Sequence, residues 1–257
     1  MTRISSPSLR AIVPTAISTL IFALAGSARA DPDDHVTLGA GVGAIPEFQG
    51  SDGSRIVPIP IIDVEWGRFF VRLSDGIGVN AIDTPHFQAG AGLTWMPGYR
   101  GRDVPDGIGA LSDSFGGRAF VSGELGGVMA TVSVVHALFG GDFEGTVASA
   151  QVSYALRLLP RLVLSPGVGA SWADGTYMQR YFGVNADQAA ASGLPLYRSS
   201  AGIKDVSARL AANYQLTDSI GFVGVVAFAH YQDNVSDSPF VESRLQSTRV
   251  LGLTCTF

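Results

Sequence analysis

The chain has 257 residues and a formal net charge of −5; 46% of its residues are hydrophobic and only 15% are charged. Nucleic acid is excluded as a partner, because phosphate binding needs concentrated Lys and Arg. The single cysteine, Cys255, excludes an intramolecular disulfide and a cluster of thiolate metal ligands.

The first thirty residues are typical of an export signal. Arg3 and Arg10 give a positive start, Ala11–Ala25 is largely apolar, and Ala28-Arg29-Ala30 is a small-x-small cleavage site. The apolar run is shorter than the roughly 20 residues of a membrane-spanning helix, which argues against an N-terminal anchor. We therefore expect a signal peptide at residues 1–30 and one domain at residues 31–257, which keeps 14 basic and 22 acidic residues.

The domain consists of segments in which apolar and polar side chains alternate. It has no uninterrupted apolar stretch long enough for a helical membrane span, which needs about 18 residues. In one segment, Phe87, Ala89, Ala91, Leu93 and Trp95 alternate with Gln88, Gly90, Gly92 and Thr94. Alternation alone also fits a soluble β-sandwich. Segments of about 10 residues or more, together with 32 glycines, favour an all-β, antiparallel transmembrane β-barrel.

The connections between these segments alternate in length. Short turns are expected at Trp66-Gly67, Asp83–His86, Gly126-Gly127, Leu159–Arg161 and Thr217–Ser219. Long connections are expected at Ile45–Ser54, Pro97–Gly117, Gly140–Gly145, Ala173–Ile203 and Gln232–Ser247. Because bacterial barrels have short periplasmic turns and long outer loops, both termini are predicted to lie in the periplasm.

The number of strands depends on the stretch that follows Gly67. If Arg68–Leu73 and Ile77–Ile82 are two short strands joined by a tight Ser74-Asp75-Gly76 turn, the barrel has twelve strands. If this stretch is one bent strand, ten is the next even number. The alternation of connection lengths favours twelve.

The last segment carries an assembly signal. Leu251, Leu253 and Cys255 form one apolar row, and the chain ends on Phe257. A final amphipathic strand with a terminal aromatic residue resembles the signal that the outer-membrane assembly machinery reads. That machinery and outer-membrane lipid are therefore expected partners.

Several motifs spread over the chain resemble the MltA-interacting protein / OmpV family of outer-membrane proteins. The early motifs are Pro46–Ser51, Gly67–Phe70 and Arg100–Asp103. The most specific residues lie in the last two long connections and just beyond the first of them: Tyr181, Gly183, Val184, Gln188, Ser192, Gly193, Leu194, Tyr197, Gly202, Asp205, Ser238 and Pro239. They either recognise a partner from an outer loop or pack that loop against itself.

The resemblance implies an outer-membrane location. For the founding member it implies a scaffold that joins a lytic murein transglycosylase and a murein synthase, so periplasmic murein (peptidoglycan) enzymes are expected partners. Other members are described as adhesins or porin-like proteins, so a role as an adhesin or small-solute channel is the alternative. Fold alone does not decide between these functions.

Charged residues on the polar faces of the strands should project into the lumen. They are Asp63, Glu65, Arg72, Glu124, Arg157 and Arg209. They either set ion selectivity or form ion pairs that fill a narrow barrel.

Catalysis is not predicted. An outer-membrane lipid hydrolase is the remote alternative, because the chain has four histidines, His35, His86, His136 and His230. However, the sequence has no G-x-S-x-G elbow, no H-E-x-x-H motif and no His pair at metal-ligand spacing. No catalytic residue, metal ligand or cofactor is therefore assigned.

Overall fold

The computed structural model describes residues 34–141 and 144–257. The predicted signal peptide lies outside the described residues. The strands are β1 (His35–Pro46), β2 (Ser54–Trp66), β3 (Phe69–Arg72), β4 (Gly76–Thr84), β5 (Phe87–Met96), β6 (Ser114–Leu125), β7 (Val128–Phe139), β8 (Thr146–Tyr154), β9 (Leu156–Leu159), β10 (Leu162–Ala173), β11 (Gly202–Gln215), β12 (Ile220–Tyr231) and β13 (Leu245–Thr256). The helices are α1 (Gly175–Phe182), α2 (Ala186–Ser192) and α3 (Asp233–Ser236).

The strands form one closed antiparallel barrel. Except for β8 and β9, strands that are neighbours in sequence pair with each other, and β1 pairs with β13, so the ring is complete. Segments β8 and β9 both pair with β10 and are separated only by Ala155, so they are two halves of one barrel strand. The barrel therefore has twelve strands.

The short hairpin after Gly67 has the predicted form. Strands β3 and β4 are joined by residues 73–75, and Gly76 follows with a φ of +86°. A Cβ on Gly76 would lie 1.9 Å from the Leu93 carbonyl oxygen, so glycine is needed for both its conformation and its close approach to β5. The twelve-strand prediction is confirmed and the ten-strand alternative is wrong.

The outer surface of the barrel is apolar. Side chains that face away from the lumen include exposed Val, Leu, Ile and Phe residues on nearly every strand, such as Val132, Val168, Leu210 and Leu251. An apolar surface of this extent is stable in lipid. Within residues 34–141 and 144–257, no helix is long and apolar enough to cross a membrane.

The two ends of the barrel differ. We call one the short-turn end; its connections are residues 67–68, 85–86, 126–127, 160–161 and 216–219. We call the other the long-loop end; its described connections are residues 47–53, 97–113, 140–141, 144–145, 174–201 and 232–244. The 73–75 turn points the same way but lies nearer the short-turn end, because β3 has only four residues. Strand β1 begins and strand β13 ends at the short-turn end, where Thr37 pairs with Thr256.

Candidate functional site

An aromatic cap closes the long-loop end. Fifteen buried residues from the long connections and adjacent strand ends form one apolar cluster, which includes Phe48, Tyr99, Tyr181, Phe182 and Phe240. The Tyr99 and Tyr181 rings meet edge to face with centroids 5.2 Å apart. Aromatic contacts of this kind add to the stability gained from burial. The long loops thus have a small core of their own.

Helix α1 places the central aromatic residues of the cap. Asp174 is its N-cap, and the carboxylate accepts a hydrogen bond of 2.8 Å from the Tyr177 backbone N–H. Tyr177, Met178, Tyr181 and Phe182 form its buried face. Burial raises the pKa of the Tyr177 and Tyr181 hydroxyls, and it raises that of Tyr99 to about 12, so all three hydroxyls remain neutral at physiological pH.

Helix α2 is fixed by family-motif residues. Asn185 and Gln188 form a reciprocal capping box, and Gly193 ends the helix in the left-handed conformation with a φ of +75°. The Gln188 side-chain amide also donates to the Ile108 carbonyl at 2.8 Å, which ties α2 to the 97–113 loop. The Ser192 hydroxyl donates to the Gln188 carbonyl, and Leu194 packs against the cap.

The remaining motif residues join the cap to its neighbours. Val184 and Tyr197 form a two-way backbone bridge, and the Tyr197 hydroxyl donates to the Asn234 carbonyl. The Ser238 hydroxyl donates to the Phe182 carbonyl at 2.6 Å, and half-buried Pro239 follows it. Gly183 has no space for a side chain, since a Cβ would lie 2.4 Å from the Gln179 carbonyl oxygen. A Cβ on Gly202 would lie 2.3 Å from the Asn234 side-chain nitrogen, so that side chain would have to move.

A buried polar network lies beneath the aromatic cap. The Lys204 ammonium is 2.5 Å from the Asp205 carboxylate and donates to the Gln49 side-chain carbonyl at 2.9 Å. The Ser171 hydroxyl donates to the same Asp205 oxygen. Lys204 was missed in the sequence, although it is the only lysine of the chain.

An apolar layer fills the lumen at mid-height. It consists of inward-facing residues from both sides of the barrel: Ile45, Val57, Ile59, Ile61, Ala211, Val223, Val225 and Val250. Leu73 and Trp95 pack against it. This layer and the cap thus pack apolar and aromatic side chains into the long-loop half of the interior.

A cavity of about 600 Å³ occupies the other half, and we call it the vestibule. Its lining reaches the short-turn end at Pro85, Pro160 and Ser219, so it opens there. All six lumen charges predicted from the sequence line it.

Ion pairs line the vestibule. The Arg72 guanidinium contacts Asp63 at 3.2 Å and also contacts Glu65, while Arg118 contacts Asp75 at 2.9 Å. Arg209 also lines the vestibule, and its Nη1 atom is buried with no hydrogen-bond partner among the described residues. The vestibule lining therefore combines cross-strand ion pairs with a buried guanidinium nitrogen that lacks a partner. Sequence reasoning missed Asp75 and Arg118, although Arg118 lies on the polar row of its strand.

Two of the four histidines, His35 and His86, line the vestibule. The His35 ring lies 3.6 Å from Asp63, whereas the His136 ring is hydrogen-bonded to Thr146. The His230 ring lies beside the Gln232 side chain. No group of three or more potential metal ligands occurs among the described residues.

Phe257 lies beside β1 at the short-turn end, where its backbone N–H donates to the Val36 carbonyl and its side chain is 78% exposed. Since the ring packs little, Phe257→Ala should leave export and the stability of the finished barrel almost unchanged but reduce insertion into the outer membrane. The measurement is the amount of heat-modifiable protein in outer-membrane fractions. Phe222→Ala removes a lipid-facing ring from β12 and is the control. Equal insertion of both variants and the parent would contradict this prediction.

A closed antiparallel barrel with an apolar outer surface and a polar vestibule is an outer-membrane β-barrel protein. The chain belongs to the MipA family, described as MltA-interacting protein MipA, whose profile matches residues 38–257. It is 25% identical to the MltA-interacting protein of Escherichia coli K12, over 94% of this chain and 97% of that protein. An outer membrane channel of Pseudomonas putida F1 has a similar solved structure, with 9% identity, coverage of 90% and 98%, and a TM-score of 0.49.

Proposed function

We propose that this barrel is a scaffold for enzymes of murein synthesis and hydrolysis. In this proposal the short-turn end and both chain ends lie in the periplasm, where such enzymes work. The observation that carries it is the asymmetry of the interior: the aromatic cap and the apolar layer pack in the long-loop half, and the vestibule opens at the short-turn end. The name of the Escherichia coli relative, which refers to interaction with MltA, supports the same kind of partner.

The vestibule compensates for the small area of the short turns. A protein interface of standard size needs roughly 800 Å² from each partner, and two-residue turns offer little of this area. A cavity of about 600 Å³ can accept a protruding loop or side chain, since pockets of this size bury small ligands well. We therefore expect the partner to contact the vestibule rim and insert a short segment.

The rim carries charges of both signs. Asp83 and Asp218 lie at the short turns, and Arg161 lies 4.0 Å from Asp218 at the same end. Charges at an interface rim mainly affect the association rate and specificity, and salt weakens their effect. Reversing rim charges should therefore weaken capture of a partner. The Asp83 carboxylate also accepts hydrogen bonds from the Asn80 and Gln88 side chains, so heat modifiability is used to check that the variant barrel is folded.

Affinity capture from crosslinked envelopes tests the proposal. Asp83→Lys combined with Asp218→Lys should lower the recovery of murein enzymes, most clearly at low salt. Glu144→Lys combined with Asp187→Lys reverses two exposed acids at the long-loop end and is the matched control. The control should recover as much enzyme as the parent protein.

Two outcomes would contradict the scaffold. One is the absence of murein enzymes from the parent capture at low salt; the other is a loss of capture only in the long-loop control. An adhesin that uses its outer loops would lose cell attachment in that control instead. A small-solute channel would give unitary conductance steps in planar bilayers, whereas the side chains packed in the long-loop half predict none.

A further inference from the structure

The barrel wall is interrupted on one side. Strand β2 pairs with β1 along Ser54–Glu65, but on its other side only Asp63–Trp66 pair with β3. Pairing between β4 and β5 ends at Leu93. Among the described residues, no strand pairs with Ser54–Ile61 on this side, a length of roughly 25 Å. The short β3–β4 hairpin thus leaves an opening on its long-loop side, between β2 and the end of β5.

Two prolines line this opening. The Ile62 carbonyl accepts a hydrogen bond of 3.2 Å from the Leu73 N–H, so the main-chain groups of even-numbered residues in β2 point towards the opening. Pro58 and Pro60 are even-numbered, and neither has an N–H group. Unpaired donors are costly in lipid, and prolines at a strand edge prevent pairing with another strand. The edge is therefore unsuited to a β-strand of a partner or of a second copy.

Trp95 shows that the opening passes through the wall. Thr94 and Met96 are its buried, inward-facing neighbours on β5, so strand alternation places Trp95 on the outer face. Nevertheless, Trp95 packs against the apolar layer inside the lumen. An outward-facing side chain reaches interior residues only where no strand lies between them. Trp95 therefore covers the opening from the lipid side.

The surface around the opening is apolar and continuous with the lipid-facing surface. Ile56 is 81% exposed, and Ile77 and Leu93 on the neighbouring strands are also exposed. The border of the opening nearest the long-loop end is polar, because the Arg55 guanidinium contacts the Asp103 carboxylate there at 2.9 Å. Behind the opening lie Val57, Ile59 and Ile61 of the apolar layer. The molecule that meets this surface in a membrane is lipid.

We propose that this opening is a lateral portal that binds one acyl chain of a surrounding membrane lipid, with Trp95 as its movable cover. The acyl chain would displace the indole ring and contact Ile59 and Ile61, replacing one apolar contact by another. The Asp113 carboxylate, which accepts hydrogen bonds from the Trp95 side chain and from the Gly98 N–H, holds the cover closed. This site is independent of the scaffold role, because it lies on the lipid side and not at the vestibule rim.

Photolabelling with a phospholipid that carries a diazirine in its acyl chain tests the portal. The barrel is reconstituted in vesicles of this lipid and phosphatidylcholine, irradiated, and mapped by mass spectrometry. We expect label on the inward-facing Ile59 and Ile61 and several-fold less on Val223 and Val225. The latter two are equally buried and belong to the same layer, but β12 is paired on both sides.

Trp95→Ala should increase the label on Ile59 and Ile61. Trp172→Ala is the matched control, because Trp172 is a half-exposed, lipid-facing tryptophan on the fully paired strand β10. Equal labelling of Ile61 and Val225 in the parent protein would overturn the proposal. An equal increase in both tryptophan variants would overturn the role of Trp95 as the cover.

Discussion

Tyr181→Ala is expected to open the cap. The ring is 1% exposed and contacts Tyr99, Tyr177 and Phe182, while its hydroxyl accepts a hydrogen bond of 3.2 Å from the Gln49 N–H. Replacing a buried aromatic residue by alanine costs roughly 3 to 5 kcal/mol, because the lost contacts leave a cavity. The cap is a small cluster built from loops, so this loss is a large part of its local stability.

Protease cleavage of the folded protein measures this effect. Residues 174–201 should be cut much faster in Tyr181→Ala than in the parent protein, while the strands remain intact and heat-modifiable. Tyr154→Ala makes the same chemical change at a lipid-facing position that is 44% exposed, and it should have little effect. A variant cap as resistant as that of the parent would show that Tyr181 is not a central packing residue.

Lys204→Met is expected to destabilise the whole barrel. The substitution leaves the Asp205 carboxylate with the Ser171 hydroxyl but without its cation, in a site where Lys204 is only 8% exposed. Removing one partner of a buried ion pair costs roughly 3 to 5 kcal/mol, since the other charge remains desolvated. The double variant Lys204→Met with Asp205→Asn removes both charges and should recover most of this loss.

Equilibrium unfolding in urea with lipid vesicles measures these free energies. Arg244→Met is the control, because the Arg244 guanidinium is half exposed and pairs with Asp233 and Asp237 at the surface. An exposed pair contributes about 1 kcal/mol or less. If the double variant were as unstable as Lys204→Met alone, the loss would come from packing and not from an unpaired charge.

The alternation of apolar and polar residues allowed the barrel wall to be predicted from the sequence. Each strand has one face in lipid and one in the lumen, so alternating residues show both faces without knowledge of the neighbours. For this reason, the twelve-strand barrel and the lumen positions of Arg72, Glu124 and Arg209 could be predicted. Boundaries at the loops were less accurate: the second long connection ends at residue 113 and not at Gly117, because β6 begins at Ser114.

The cap could not be predicted in the same way. Helices α1 and α2 are only eight and seven residues long, and helices of this length are not stable without tertiary contacts. The sequence showed the motif residues as a pattern but did not show what they contact. In the structure they form hydrogen bonds with residues 49, 108 and 234, which are distant in the chain.

Local sequence thus determined which residues face lipid, because a strand's two faces follow from its own period of two, and the lengths of the connections favoured twelve strands. Tertiary structure alone decided what fills and opens the barrel. Lys204 meets Gln49 across 155 residues of sequence. Likewise, the opening beside Pro58 and Pro60 exists only because the four-residue strand β3 pairs with a small part of the thirteen-residue strand β2. Such features depend on the relative lengths and register of different strands. The alternation of residues within one strand gives no information about either.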